Sequence, residues 1–120
     1  FQRGGSLSPL IVSTAEPSLK VVPASIRLAA AAENCYGVLF REVKLQEALP
    51  AVADDFDYIL LDCPPNLGVL AVNGLVAAEK ILIPTPPSTL ALSGLADLLV
   101  TLQTVKGETA DWRILLTRVS

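Results

Sequence analysis

The residues of this 120-residue chain with the clearest chemical potential lie together, in the run Asp62-Cys63-Pro64-Pro65-Asn66-Leu67-Gly68. The Asp62 carboxylate follows directly on the apolar run Tyr58-Ile59-Leu60-Leu61, which Asp57 leads in. A continuous apolar run suits a strand buried on both faces of a parallel sheet. Two consecutive prolines donate no N–H and cannot continue a ladder, so the strand ends at Asp62 or just after it. Ligands of open α/β sheets collect at the carboxyl ends of strands. An aspartate there can orient a water on a phosphate-bound Mg²⁺, the part played by a Walker-B carboxylate. An Asp before Pro-Pro also commonly serves a turn, and this stretch alone leaves both roles open.

Other chemistries are excluded by composition. There is no histidine, so no Ser-His-Asp or Cys-His mechanism can be assembled within the chain. Two cysteines, Cys35 and Cys63, are too few and too far apart for a closed zinc site, and they are expected to be buried, reduced thiols. The net charge of −3 provides no basic footprint for nucleic acid. At 52% hydrophobic and 18% charged, the chain can fill a core and is one domain's worth at most. The uncharged stretch from Cys63 to Ala78 is interrupted by prolines, glycines and asparagines, which argues against a membrane span. No signal pattern opens the chain, and its start at Phe1 reads as the middle of something longer.

The elements that must position Asp62 follow from periodicity and punctuation. Phe1 to Pro9 reads as a loop, Leu10 to Val12 as a short strand, Glu16-Pro17-Ser18 as a turn, and Leu19 to Val22 as a strand closed by Pro23. Ser25 can cap a helix beginning at Ile26, rich in alanine and ending near Tyr36 with Gly37 as a left-handed terminator. Val38 to Leu49 reads as helical, with Leu45, Leu49 and Val52 on one face; Pro50 kinks it or starts its last turn. After the Asp62 strand and the Pro-Pro loop, Val69 to Ala78 reads as a helix with a small-residue side of Leu70, Asn73, Gly74 and Ala77. Ile81 to Ile83 reads as a buried strand stopped by Pro84, followed by a loop in which Ser88 or Thr89 caps the next helix. That helix carries Leu92, Leu95, Leu98, Leu99, Leu102 and Val105 with a 3.6-residue period, and it closes with Lys106 and Gly107. Trp112 to Thr117 reads as a last strand. Strands alternating with helices predict an α/β fold, a parallel sheet with helices on both faces, in which Tyr58–Leu61, Ile81–Ile83 and Arg113–Leu116 are parallel neighbours.

The order of these motifs resembles the ParA/MinD family of deviant-Walker ATPases, and within it the ParA (Soj-like) branch that moves plasmids and chromosomes apart. The resemblance rests on Phe56 to Gly68, then Asn-Gly-Leu-Val-Ala-Ala-Glu-Lys-Ile-Leu-Ile-Pro at Asn73 to Pro84, then Ala-Leu-Ser-Gly-Leu and Ile-Leu-Leu-Thr-Arg. It runs from about Leu19 to the end, so the chain would be the central part, 1–120, of a single P-loop-NTPase-like domain. The resemblance implies ATP and Mg²⁺ as cofactors, a homodimer closed over two nucleotides, non-specific DNA binding, and stimulation by a centromere-bound partition protein. It implies a cytoplasmic, nucleoid-associated protein with no membrane attachment. Carried over by position, Asp62 would orient a water on Mg²⁺, and Cys63, Pro64, Pro65, Asn66 and Gly68 would belong to the loop that senses the γ-phosphate. Thr117 and Arg118 would lie toward the adenine, and the loop Pro84 to Thr89 would line the nucleotide side of the sheet.

The departures bear on activity. No Gly-Lys-[Ser/Thr] occurs anywhere in the chain, and Gly4-Gly5 is followed by Ser6 with no lysine near. The phosphate-cradling loop is therefore expected upstream of Phe1, and the basic DNA-touching region beyond Ser120. Asn66 stands where Ser is usual in the family, and Ser93 where an acidic residue is common. The resemblance places the P-loop strand beside the Asp62 strand; without it, Tyr58 to Leu61 would present an exposed apolar edge. Taken alone, the chain is expected neither to hydrolyse ATP nor to bind DNA. A ParA-like binding module without catalysis, and a MinD-like ATPase placed at a membrane, remain the alternatives.

Overall fold

A computed structural model of the chain describes residues 6–118. The Phe1–Gly5 part of the expected amino-terminal loop lies outside the described residues. The rest of that stretch turns through a short 3-10 helix at Ser8–Leu10, with Pro9 among its first residues. The first expected strand shifts along the chain to Val12–Ser13 (β1), which pairs antiparallel with Lys20–Val21 (β2). The turn between them is closed by Thr14, whose hydroxyl donates to the carbonyls of Leu19 (2.9 Å) and Glu16 (3.0 Å).

Arg27–Glu33 (α1) is the alanine helix. Its start differs from expectation: the Ser25 side chain makes no cap, and the Ser25 carbonyl instead accepts from the Leu28 N–H at 2.9 Å. Its end differs as well: the helix stops at Glu33 with Asn34 as its C-cap, short of Tyr36, so Gly37, though left-handed at φ +86°, sits in the turn beyond and does not terminate it. The helix expected from Val38 is shorter than its pattern suggests. Phe40 adopts a left-handed φ of 57°, which breaks the run, and helical structure begins with a 3-10 turn at Arg41–Val43. Lys44–Ala48 (α2) and Pro50–Ala53 (α3) follow, with Pro50 in the first turn of α3, where its missing N–H costs nothing.

The carboxyl-terminal half carries the sheet. Val69–Ala77 (α4) leads to Ile81–Thr85 (β3), and Thr89–Lys106 (α5) crosses over to Trp112–Leu116 (β4). β3 and β4 are parallel, in register from Ile81↔Trp112 to Thr85↔Leu116. The α/β class with a parallel sheet is thus as expected. Contrary to expectation, Pro84 does not stop β3. The Ile81 N–H donates to Asp111 and the Thr85 carbonyl accepts from Thr117, so alternate residues from Ile81 face β4. Leu82 and Pro84 turn their backbone to the outer edge, where a proline removes no ladder hydrogen bond. Ser88 caps α5 as expected, its hydroxyl accepting from the Ala91 N–H at 3.2 Å.

The core lies between α4, β3 and α5: Leu75, Ile81, Ile83 and Leu102 are buried, with Ala78, Leu95, Leu98 and Leu99 packed against them. The α5 stripe enters this core from Leu95 onward, whereas Leu92 is exposed. One face of the sheet is covered in this way. On the other face Leu82 is 61% exposed, and along β4 Ile114, Leu115 and Leu116 are exposed as well. Lys106 fastens the two helices together. Its ammonium donates to the carbonyls of Val76 (3.2 Å) and Ala78 (2.6 Å), the negative end of α4 rather than of its own helix.

The strand expected at Tyr58–Leu61 carries no ladder pairing among the described residues. Tyr58 is 88% and Leu60 91% exposed. An apolar run is buried as a central strand only if a neighbour pairs with each edge and helices cover each face. No described strand flanks this one, so its side chains stay in solvent, as the exposed apolar edge anticipated.

Candidate functional site

Asp62 follows this unpaired segment directly. It is exposed and, among the described residues, accepts no hydrogen bond and joins no ion pair. The turn role requires a carboxylate oxygen to accept a local N–H, and that bond is not present. Its two oxygens are open to solvent. Among the described residues no three His, Cys, Asp or Glu side chains come together as a cation cage. A lone carboxylate suits a cation whose other ligands are waters and phosphates, as Mg²⁺ prefers. Of that chemistry, the described residues provide the Asp62 carboxylate. The phosphate cradle, with its lysine, is not among them.

The loop after Asp62 is seated on α4. An atom added at the Cβ position of Gly74 would lie 2.5 Å from the Cys63 sulfur, so the thiol occupies the space that any larger residue at 74 would fill. Cys63 is not the buried thiol expected; it is exposed on its outer side, and both it and the buried Cys35 are free. Partial burial against α4, and then the neighbouring Asp62 carboxylate, push the Cys63 thiol above the ordinary cysteine value. Asn66 shapes the exit of the loop, its Oδ1 accepting from the Gly68 N–H at 3.3 Å. Gly68 is itself the residue that begins α4, in an extended conformation and with no side-chain cap. Asn66 and Gly68 are thus joined, while the Cys63 thiol sits against Gly74 and donates to the Leu61 carbonyl at 3.7 Å; Pro64 and Pro65 fix φ between the two anchor points.

Thr117 and Arg118 stand at a different place, the carboxyl ends of β3 and β4. The Thr117 N–H donates to the Thr85 carbonyl at 3.0 Å, which ties it to the loop running from Pro84 to Thr89. Arg118 is exposed and takes a left-handed φ of 53°, uncommon for a residue with a side chain. Among the described residues no hydrogen bond joins this pair to the Asp62–Gly68 group.

The structure gives Asn73 a part beyond its place on the small-residue side of α4, and brings in Arg41 and Tyr36. Asn73, 2% exposed, donates through Nδ2 to the carbonyls of Arg41 and Val69, both at 2.8 Å, and accepts at Oδ1 from the Leu45 N–H at 3.0 Å. Leu45 lies in the first turn of α2, whose N–H groups lack intrahelical partners, so Asn73 caps α2 from another helix. The available signal was an amide inside an otherwise apolar helix, since a buried amide must find partners. Arg41 stacks over Tyr36, its guanidinium carbon 5.2 Å from the ring centre. A cleft of about 310 Å³ is lined by Tyr36 and Arg41 together with Leu67, Gly68 and Val72.

With this geometry in view, comparison with known proteins is informative. A family model described as an AAA domain matches residues 3–113. The sporulation initiation inhibitor protein Soj of Bacillus subtilis is 42% identical over 97 residues, covering 81% of this chain and 38% of Soj. The chain thus spans well under half the length of that relative. Among solved structures, cobyrinic acid a,c-diamide synthase from Mycobacterium smegmatis, with bound ATP analogue and magnesium, superposes with a TM-score of 0.83 at 33% identity. That match covers 96% of this chain and 49% of the synthase. A plasmid partition protein from Borrelia burgdorferi superposes with a TM-score of 0.87 over 99% of this chain and 51% of its own, and at 18% identity it shows the shared fold alone.

Proposed function

The chain belongs to the ParA/Soj-type AAA-domain family, and from that premise we propose that it is the part of a partition ATPase that carries the metal-facing carboxylate and the nucleotide-sensing loop. The observation that carries this reading is Asp62: a carboxylate without a protein partner, at the head of a loop braced on α4. A charge so placed is satisfied by water or a hydrated cation, not by the fold. The synthase relative that binds an ATP analogue with magnesium supports the choice of cation and nucleotide.

When bound, Mg²⁺-ATP supplies the phosphoryl group to be hydrolysed and the charge that the protein must sense. Asp62 holds and orients a water on the metal side. Cys63, Pro64, Pro65, Asn66 and Gly68 form a loop with two fixed φ angles, so it moves as a unit and passes its position to the start of α4. Thr117 and Arg118 bound the adenine side, next to the Pro84–Thr89 loop. In the complete protein this sensing leads to an ATP-dependent homodimer that binds DNA without sequence preference and answers to a centromere-bound partition protein, in the cytoplasm and on the nucleoid. Among the described residues no helix is long and apolar enough to cross a membrane. The 120 residues alone bind no random duplex appreciably, because their charge is −3 and counterion release needs a basic surface.

The test is Asp62→Ala in the full-length protein. The expected result is an unchanged melting temperature with Mg²⁺-dependent turnover reduced by at least about a hundredfold, the size usual for loss of a positioned electrostatic group. A destabilised protein with normal turnover would return Asp62 to a turn residue and overturn the assignment.

A further inference from the structure

Helix α4 is gripped at two adjacent positions by two different parts of the chain. At Gly74 it receives the Cys63 sulfur, which occupies the place of a side chain. At Asn73 it holds the Arg41 carbonyl and the Leu45 N–H, segments 32 and 28 residues away in sequence. Consecutive helix positions point about 100° apart, so one turn of α4 faces the loop on one side and the Arg41–Leu45 segment on another. Every polar atom of the Asn73 side chain engaged here is already used, and the residue is buried, so the grip has no slack. The loop's last residue, Gly68, begins α4. A displacement of the loop must therefore move the start of α4, and Asn73 must either carry Arg41 with it or break its hydrogen bonds. Arg41 and Tyr36 line the 310 Å³ cleft together with Leu67, Gly68 and Val72. Asn73 ties the Arg41 carbonyl to the helix that carries Val72.

The geometry points to Asn73 as a positioning residue that couples the Cys63–Gly68 loop to the Arg41–Leu45 segment, so that the cleft between them changes shape with the state of the loop. Asn73 touches neither nucleotide nor metal; it acts through α4. The inference rests on the nucleotide-sensing reading of the loop. Coupling of this kind is reciprocal. If an occupied loop tightens the Arg41–Leu45 segment, then cutting the link weakens nucleotide binding by the same factor.

The experiment is hydrogen exchange on the full-length protein, with and without a non-hydrolysable ATP analogue and Mg²⁺. In the native sequence the analogue should slow exchange across residues 63–68 and also at the Leu45 amide, there by about tenfold, a common coupling factor. Asn73→Ala should keep the response of residues 63–68 and lose the analogue-dependent change at Leu45, while affinity for the analogue falls by a similar factor. A purely structural Asn73 would speed exchange equally with and without the analogue and leave the response at Leu45 in place. A response at residues 63–68 without one at Leu45 in the native sequence overturns the coupling alone. No response at residues 63–68 overturns the nucleotide reading, and the coupling with it. The native-sequence measurement decides the matter even if Asn73→Ala does not fold.

Discussion

The contact between Cys63 and Gly74 makes a quantitative demand on stability. Replacing Gly74 by Ala places a methyl carbon 2.5 Å from the Cys63 sulfur, where ordinary contacts begin near ~3.5 Å. About 1 Å must be found by moving Cys63 or α4. Pro64 restricts the backbone of Cys63, so the side chain is the part that yields, leaving its seat for another rotamer. Overpacking of this kind costs about 1–3 kcal/mol, while Ala in place of Gly within a helix contributes about 1 kcal/mol of stability. The two oppose each other, and Gly74→Ala alone should lower stability by about 0–2 kcal/mol. Removing the sulfur reverses the sign: in a Cys63→Ala background, Gly74→Ala should stabilise by about 1 kcal/mol. Urea unfolding of the native protein, both single variants and the double variant yields the interaction energy, expected at about 1–3 kcal/mol in favour of the double variant. Additive effects, with Gly74→Ala equally stabilising in both backgrounds, would refute the argument that the sulfur fills the space at position 74.

Two further outcomes follow from the same region and from α5. Because the Cys63 thiol is raised above the ordinary cysteine value by burial and then by Asp62, its rate of alkylation should rise with a midpoint above that of an exposed reference thiol, and Asp62→Asn should lower the midpoint only part of the way. The folded state holds this proton more tightly than the unfolded, so the associated stability is full below the ordinary value and is lost as pH rises through the folded one; a midpoint no higher than that of the unfolded chain would contradict the placement. Ser88→Ala removes the N-cap of α5 and should cost about 1 kcal/mol by denaturant unfolding, and Ser88→Gly only a few tenths.

How legible these features were in the sequence depended on whether their cause was local. Ser88, Gly107 and Pro50 act within a turn or two of their own position, and each stands where its chemistry predicts; Gly37 is left-handed as expected, but α1 ends before reaching it. The α5 stripe and the two parallel strands also followed from periodicity. Pro84 misled because a proline forbids a ladder hydrogen bond only on the side its nitrogen faces, and that side is set by the partner strand. Tyr58–Leu61 misled because apolar composition states what a segment would bury, not whether a neighbour is present to bury it. At the candidate site, Asp62 stands out in the sequence from its place after an apolar run, but the bracing of its loop does not. The seat for Cys63 depends on an absent side chain eleven positions later, and Asn73 on carbonyl and amide groups of another helix. Lys106 was read as serving its own helix, when its ammonium reaches the end of α4.

That last contact also bears on how the chain folds. The Lys106 ammonium meets carbonyls 28 and 30 residues earlier, and the segment between contains the end of α4, all of β3 and nearly all of α5. Forming it closes a long loop, whose entropy is recovered only when the apolar faces inside that loop pack together. The final turn of α5 is thereby prevented from fraying independently, as a helix end otherwise does. Helix, strand and helix are therefore expected to form a single cooperative block, whose amides should exchange together in a hydrogen-exchange measurement. The hairpin of β1 and β2, with exposed strands and short pairing, has no such closure and is free to open by itself at much lower cost.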